Sequence, residues 1–200
     1  YYCKYIFHND TWMYSVLYLA EAGTLVIGAI LCPVLLRKYG KRQISLIGAV
    51  IAVIAHAAFM LNTGSFSWAL ITSIVRALGE APLTAVVFGM MGDVIEFGQW
   101  KSHIRQEALI FGAGSMGFKL GTGITSAILT SLLNNAGYIS STGASVTQPL
   151  TALNMIQSIY VWGPIIVWVI AVIALSVYKL DGKYDGIMSE LKERESRGEM

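Results

Sequence analysis

Five stretches of the chain, 12–36, 44–61, 67–92, 108–133 and 155–178, are dominated by apolar residues, and polar residues collect in the segments between them. At about 1.5 Å of rise per helical residue, each covers a hydrocarbon core of roughly 30 Å. A backbone inside lipid must satisfy its own hydrogen bonds, so runs of this length predict membrane-spanning helices. The connections are polar: Arg37-Lys38-Tyr39-Gly40-Lys41-Arg42, the turn Asn62-Thr63-Gly64-Ser65, a charged stretch over 93–107, and an uncharged Ser/Thr/Asn/Gly-rich loop over 134–152. A charged tail, 181–200, places Ile187, Met188 and Leu191 on one face of a short surface helix.

Composition agrees with this pattern. The 200 residues are 55% hydrophobic and 13% charged, against about 25% charged in soluble domains. The fold class read from this is all-α transmembrane. The net charge of +2 decides little; the placement of charge decides more. Of 14 basic residues, Arg76 and Lys119 lie within spans and Lys4 precedes the first. The other 11 fall in three segments that alternate connection puts on one side: 37–42, 93–107 and the residues from Lys179 onward. The positive-inside rule makes that side cytoplasmic. The carboxy terminus is then cytoplasmic and residue 1 extracytoplasmic, in a multi-pass protein of the plasma or inner membrane.

An external amino terminus without a signal peptide implies an upstream span. The chain is accordingly expected to be the carboxy-terminal piece of a longer protein. Residues 1–10 would be the outer end of a truncated helix, 11–180 the transmembrane bundle and 181–200 the tail. Tyr1, Tyr2 and Tyr5 suit an interfacial aromatic belt. Cys3 and Cys32 fall near opposite faces of the bilayer, too far apart for the roughly 7 Å Cα separation of a disulfide.

Charges inside spans are the candidate chemistry. Lys119 stands alone near the middle of 108–133. A lysine at that depth costs several kcal/mol, so it must face a partner or a water-filled cavity. Arg76 and Glu80 lie i,i+4 on one helical face, with Pro82 following. They are read as lining or tuning a polar pathway, or as a self-neutralising pair that eases insertion. Glu21 lies about ten residues into the first span, and Pro33 near its end. His56 is read as a hydrogen-bonded packing residue first and a proton carrier second. Gly117-x-x-x-Gly121 is a close-packing pattern. No nucleophile–base pair, metal cluster or phosphate loop is visible, so no enzyme is expected.

Between spans three and four runs G-D-V-I-E-F-G-Q-W-K-S-H-I-R-Q-E-A, Gly92 to Ala108. Asp93 and Glu96 are read there as lying at a helix end, where the dipole disfavours anions. Arg105 and Lys101 offset them, giving a network able to form and break between conformations. This segment resembles the pattern A-D-x-x-D-Y-G-E-x-K-T-G-x-R-x-E-G of the glycoside–pentoside–hexuronide:cation symporters, the melibiose permease-like family of the major facilitator superfamily. Lys119 with Gly121, Gly137-Tyr138, and Pro33 with Arg37, Lys38, Gly40, Lys41 and Arg42 carry the similarity further.

The resemblance implies helices eight to twelve of twelve, with only the end of helix seven. It implies sugar:cation symport by alternating access between two six-helix halves. The implied partners are the lipid bilayer, a sugar or glycoside, and the absent amino-terminal half, with no nucleic acid. No cofactor is implied, and the co-transported Na⁺ or H⁺ would bind mainly in the absent half. Lys119, Ser115, Phe118 and Gly114 would line the cavity, with Arg76 and Glu80 tuning it. Asp93, Glu96, Arg105, Glu107, Arg37, Lys41 and Arg42 would form a cytoplasmic gate network. Glu96, Phe97 and Ala108 depart from the family's Asp, Tyr and Gly, which bears on the substrate more than on the fold. Two alternatives stay open: a same-fold transporter of a non-sugar solute, and a non-transporting membrane sensor or assembly protein.

Overall fold

The computed structural model describes residues 1–9, 11–140 and 147–198. The middle of the uncharged loop, the boundary residue Asp10 and the last two residues of the tail lie outside the described residues. The described residues form helices without strands: α1 (Tyr2–Tyr5), α2 (Met13–Tyr39), α3 (Lys41–Phe59) continued by a 3-10 turn at Met60–Asn62, α4 (Phe66–Ser102), α5 (Glu107–Asn135), α6 (Leu150–Val177) and α7 (Asp181–Ser196). Five of these, α2 to α6, are long and apolar enough to cross a membrane.

Helix α4 is the central post, packed against α2 and α3, while α6 lies on α3. Small residues let these axes approach. A Cβ at Gly79 would stand 2.6 Å from the Gly48 carbonyl oxygen and 2.7 Å from the Ala52 amide nitrogen. At Gly28 of α2 an added Cβ would overlap that of Ala81. Around these contacts sit two apolar clusters. One joins Tyr2, Leu17, Phe59, Ala69, Leu133 and Ile156. The other, at the opposite end of the bundle, joins Cys32, Ile44, Ala49, Val86, Met90 and Leu175. Both cysteines are free.

Two expectations are corrected. The charged stretch after residue 92 is not mainly loop, because α4 continues through Ser102. At 37 residues it is about 55 Å long, so its last turns project beyond the apolar span. Asp93 and Glu96 therefore lie inside a helix, and side chains from α3, from Tyr178 just after α6 and from α7 satisfy them without unwinding it. The helix stops where His103 adopts a left-handed φ of 59° and its N–H bonds back to the Gln99 carbonyl, a common helix ending. The second correction concerns α5. Gly117 and Gly121 have open space where a Cβ would go, so the tight approaches belong to Gly28, Gly48 and Gly79. Helix α5 touches α4 and α6 only sparingly, and nearly all its residues are exposed.

Gly40 makes the turn between α2 and α3 with φ 75° and ψ 163°, backbone that favours glycine. It brings no side chain to cap α3. Asp181, the first residue of α7, supplies the cap instead: its Oδ2 accepts from the Arg42 amide at 2.6 Å. A carboxylate there complements the positive end of the helix dipole.

Candidate functional site

Inside the bundle, four ionisable side chains from three helices meet. Arg76 of α4 donates from Nη2 to Glu21 Oε2 of α2 at 2.5 Å. Its own-helix neighbour Glu80 is more distant, with Arg76 Nε 3.9 Å from Glu80 Oε1. His56 of α3, 5% exposed, places Nε2 3.8 Å from that same Oε1. Trp168 of α6 donates its indole N–H there at 3.2 Å. Sequence spacing alone reveals the Arg76–Glu80 register. The contributions of Glu21, His56 and Trp168 come from other helices and carry no local signal.

Arg76 and Glu21 also line a cavity of about 480 Å³ whose wall includes Tyr14, Tyr18, Ser73 and Tyr160. That volume is in the range of small-molecule sites. Aromatic rings beside a guanidinium and a carboxylate combine apolar faces with hydrogen-bonding groups.

The structure does not bring the α5 residues into this cluster. Gly114, Ser115, Phe118 and Lys119 are all exposed, and the cavity takes Leu129 and Leu133 from α5 but none of those four. Among the described residues Lys119 makes no ion pair. A Cβ at Gly114 would run into the flexible end of Met91, leaving Gly114 as the α5 glycine with a close neighbour.

At the other end, the expected polar network divides in two. Lys41 Nζ meets Asp93 Oδ1 at 2.5 Å, and Tyr178 donates to Asp93 Oδ2 at 3.4 Å. Arg42 donates to the carbonyls of Leu175 and Ser176, at 2.9 and 2.8 Å. Tyr184 donates to Glu96 at 2.5 Å; burial, then that carboxylate, pushes the Tyr184 phenol above its ordinary range. Arg105 and Glu107 pair with each other at 2.5 Å on the exposed α4–α5 connection, and Arg105 also donates to Gln99. They stay apart from the Asp93 contacts. Arg37 makes no ion pair among the described residues. Sequence reasoning missed α7's share. Its Asp181, Tyr184 and Glu190 each reach a helix of the bundle, and Glu190 accepts from the Trp100 indole at 2.6 Å. The apolar face of α7, Ile187 and Leu191, is buried, and that face was the legible signal.

Apolar helices packed through small residues, with charged side chains meeting between them, define an integral, multi-pass membrane protein. The chain belongs to the family described as MFS/sugar transport protein, which it matches over residues 1–182. It is 28% identical over 199 residues to an isoprimeverose transporter of Lactiplantibacillus pentosus, covering 98% of this chain and 40% of that protein. It is 27% identical over 198 residues to a glucuronide carrier protein homolog of Escherichia coli, covering 97% and 42%. It is 25% identical over 200 residues to a putative sulfoquinovose importer of Salmonella typhimurium, covering 99% and 41%. The chain thus spans about two fifths of the length of these relatives. They and the family are transporters, not enzymes, and the resemblance read from the motifs holds.

Proposed function

We propose that this chain forms part of a secondary transporter that moves a glycoside, pentoside or hexuronide together with Na⁺ or H⁺ by alternating access. The observation that carries the reading is Lys119. It is an ammonium in the middle of an apolar helix, exposed and without an ion pair among the described residues. A cation at that depth needs a polar counterpart, and the open face of α5 offers it to a partner half or a solute. In this reading Ser115, Phe118 and Gly114 share with Lys119 the wall of a separate cavity that forms between the two halves. Its ammonium holds sugar hydroxyls or a carboxylate, whether of the solute or of the other half. Relatives bearing the names of a glucuronide carrier and an isoprimeverose transporter support a sugar as the solute.

Helices α3 and α4 pack closely through Gly48 and Gly79, which suits a half that rocks as a unit. The Lys41–Asp93 pair and the Asp181 and Tyr184 contacts sit at the basic end, which the positive-inside rule assigns to the cytoplasm. There they act as contacts that tie the ends of α3 and α4 to each other and to α7. Lys119→Val in the full-length protein is expected to abolish concentrative sugar uptake while the protein still reaches the membrane. Uptake at the native level would refute the role of Lys119. Labelled-sugar uptake insensitive to excess unlabelled sugars would favour a non-sugar solute. Absence of any counterflow in liposomes would favour a sensor or assembly protein.

A further inference from the structure

The cluster inside the bundle, buried His56 with half-buried Glu21, Arg76 and Glu80, is one positive charge short. With the imidazole uncharged, two carboxylates face a single guanidinium, and the set carries one net negative charge. An uncompensated charge within the span is costly, and a single bound proton removes it. The geometry says where that proton goes. Arg76 makes its short contact with Glu21 at 2.5 Å, interacts also with Tyr160, and stands 3.9 Å from Glu80, so the guanidinium is held mainly by groups other than Glu80. Glu80 is left with His56 at 3.8 Å and the indole of Trp168 at 3.2 Å. All of these contacts fall on Oε1, and Glu80 Oε2 has no partner among the described residues.

Among the described residues no further charged side chain pairs with this cluster. From α2 come Tyr14, Tyr18 and Glu21, and from α6 Tyr160 and Trp168. Helix α5 contributes only Leu129 and Leu133 to the adjoining cavity. Tyr2, Cys3 and Lys4 of α1 line that cavity too. Lys4 points its ammonium at the Tyr5 ring, 5.6 Å from the centroid, and makes no ion pair with the cluster among the described residues.

We propose that His56 and Glu80 form a binding site for one exchangeable proton inside the membrane, flanked by the fixed Arg76–Glu21 pair. On His56 the proton makes an imidazolium–carboxylate pair; on Glu80 it makes a carboxylic acid at Oε2. The two are one coupled site for a single proton. Trp168 ties the site to α6, so the proton alters a contact between α4 and α6. The inference rests on the reading of this chain as part of a transporter and adds a proton site within this half.

The test is infrared difference spectroscopy of the full-length protein in liposomes, stepped between about pH 5 and pH 9, the range a histidine-linked site spans. No solute is present, so failure of the sugar assignment cannot mimic failure of the proton site. The expected result is one reversible titration in carboxyl and imidazole bands, lost or moved at least tenfold in proton concentration by Glu80→Gln and by His56→Gln. If either variant does not reach the membrane, Trp168→Phe takes its place, because loss of the indole donor must move the same titration. Wild-type spectra without such a titration, or one that these variants leave unmoved, overturn the proposal.

Discussion

Replacing Gly79 with alanine tests the packing on which the half-bundle depends. The new Cβ would lie 2.6 Å from the Gly48 carbonyl oxygen and 2.7 Å from the Ala52 amide nitrogen, with Ala52 Cα at 3.2 Å. Ordinary contact begins near 3.4 Å, so α3 and α4 must separate by about 0.8 Å, the difference between 3.4 and 2.6. Both obstacles are backbone, and no side-chain rotation relieves them. Overpacking of this kind costs typically about 1–3 kcal/mol. Alanine also gains about 1 kcal/mol over glycine in a helix interior, so the control must share that gain. Gly92, on the same helix, has nothing within 4 Å of an added Cβ. The difference between Gly79→Ala and Gly92→Ala isolates the steric cost and is expected to be about 1–3 kcal/mol. The assay is thermal unfolding in detergent of the full-length protein with Cys3→Ser, since Cys3 is free and only half-buried, read by a thiol-reactive fluorophore. Cys32, 1% exposed in the cluster between α2, α3 and α4, reacts only when that packing opens. Equal unfolding of the two variants, or greater resistance in Gly79→Ala, would refute the claim that α3 and α4 touch through these glycines.

Further outcomes follow from the polar contacts. Asp93→Asn is expected to cost roughly 1.5–3 kcal/mol, the scale of a hydrogen bond to a charged group. It falls short of a fully buried pair because the Lys41 side chain is 30% exposed. A double-mutant cycle with Lys41→Met reads the coupling, and simple additivity within about 0.3 kcal/mol would contradict the pairing. Glu190 gives a pH dependence. The Trp100 indole, then Arg194, hold its carboxyl below the ordinary range, so its stabilising contribution is fully present above the unfolded value of about 4.3. It is lost as pH falls through the lowered folded value. Hydrogen exchange of the α7 amides should therefore speed up relative to α4 only under acid conditions, and Glu190→Gln should remove that pH dependence.

The hydrophobic pattern determined by itself that five segments are long and apolar enough to cross a membrane, because span length and backbone self-sufficiency in lipid are properties of one segment at a time. It also marked Arg76 with Glu80, since a helix puts i and i+4 on one face wherever it packs. The motif around Asp93 pointed to the family for a related reason: a run of residues is readable without coordinates. The partners of those residues were not readable. That Arg76 meets Glu21 more closely than Glu80, and that His56 and Trp168 close on Glu80, depends on how α2, α3 and α6 stand around α4. The continuation of α4 to Ser102 depends on Lys41, Tyr178 and Tyr184 arriving to satisfy Asp93 and Glu96. The glycines invite the same distinction. Gly117-x-x-x-Gly121 has the spacing of a helix contact, yet the contact is made by Gly48 and Gly79. Spacing describes what a helix face permits, and only the arrangement of neighbouring helices selects which permitted face is used.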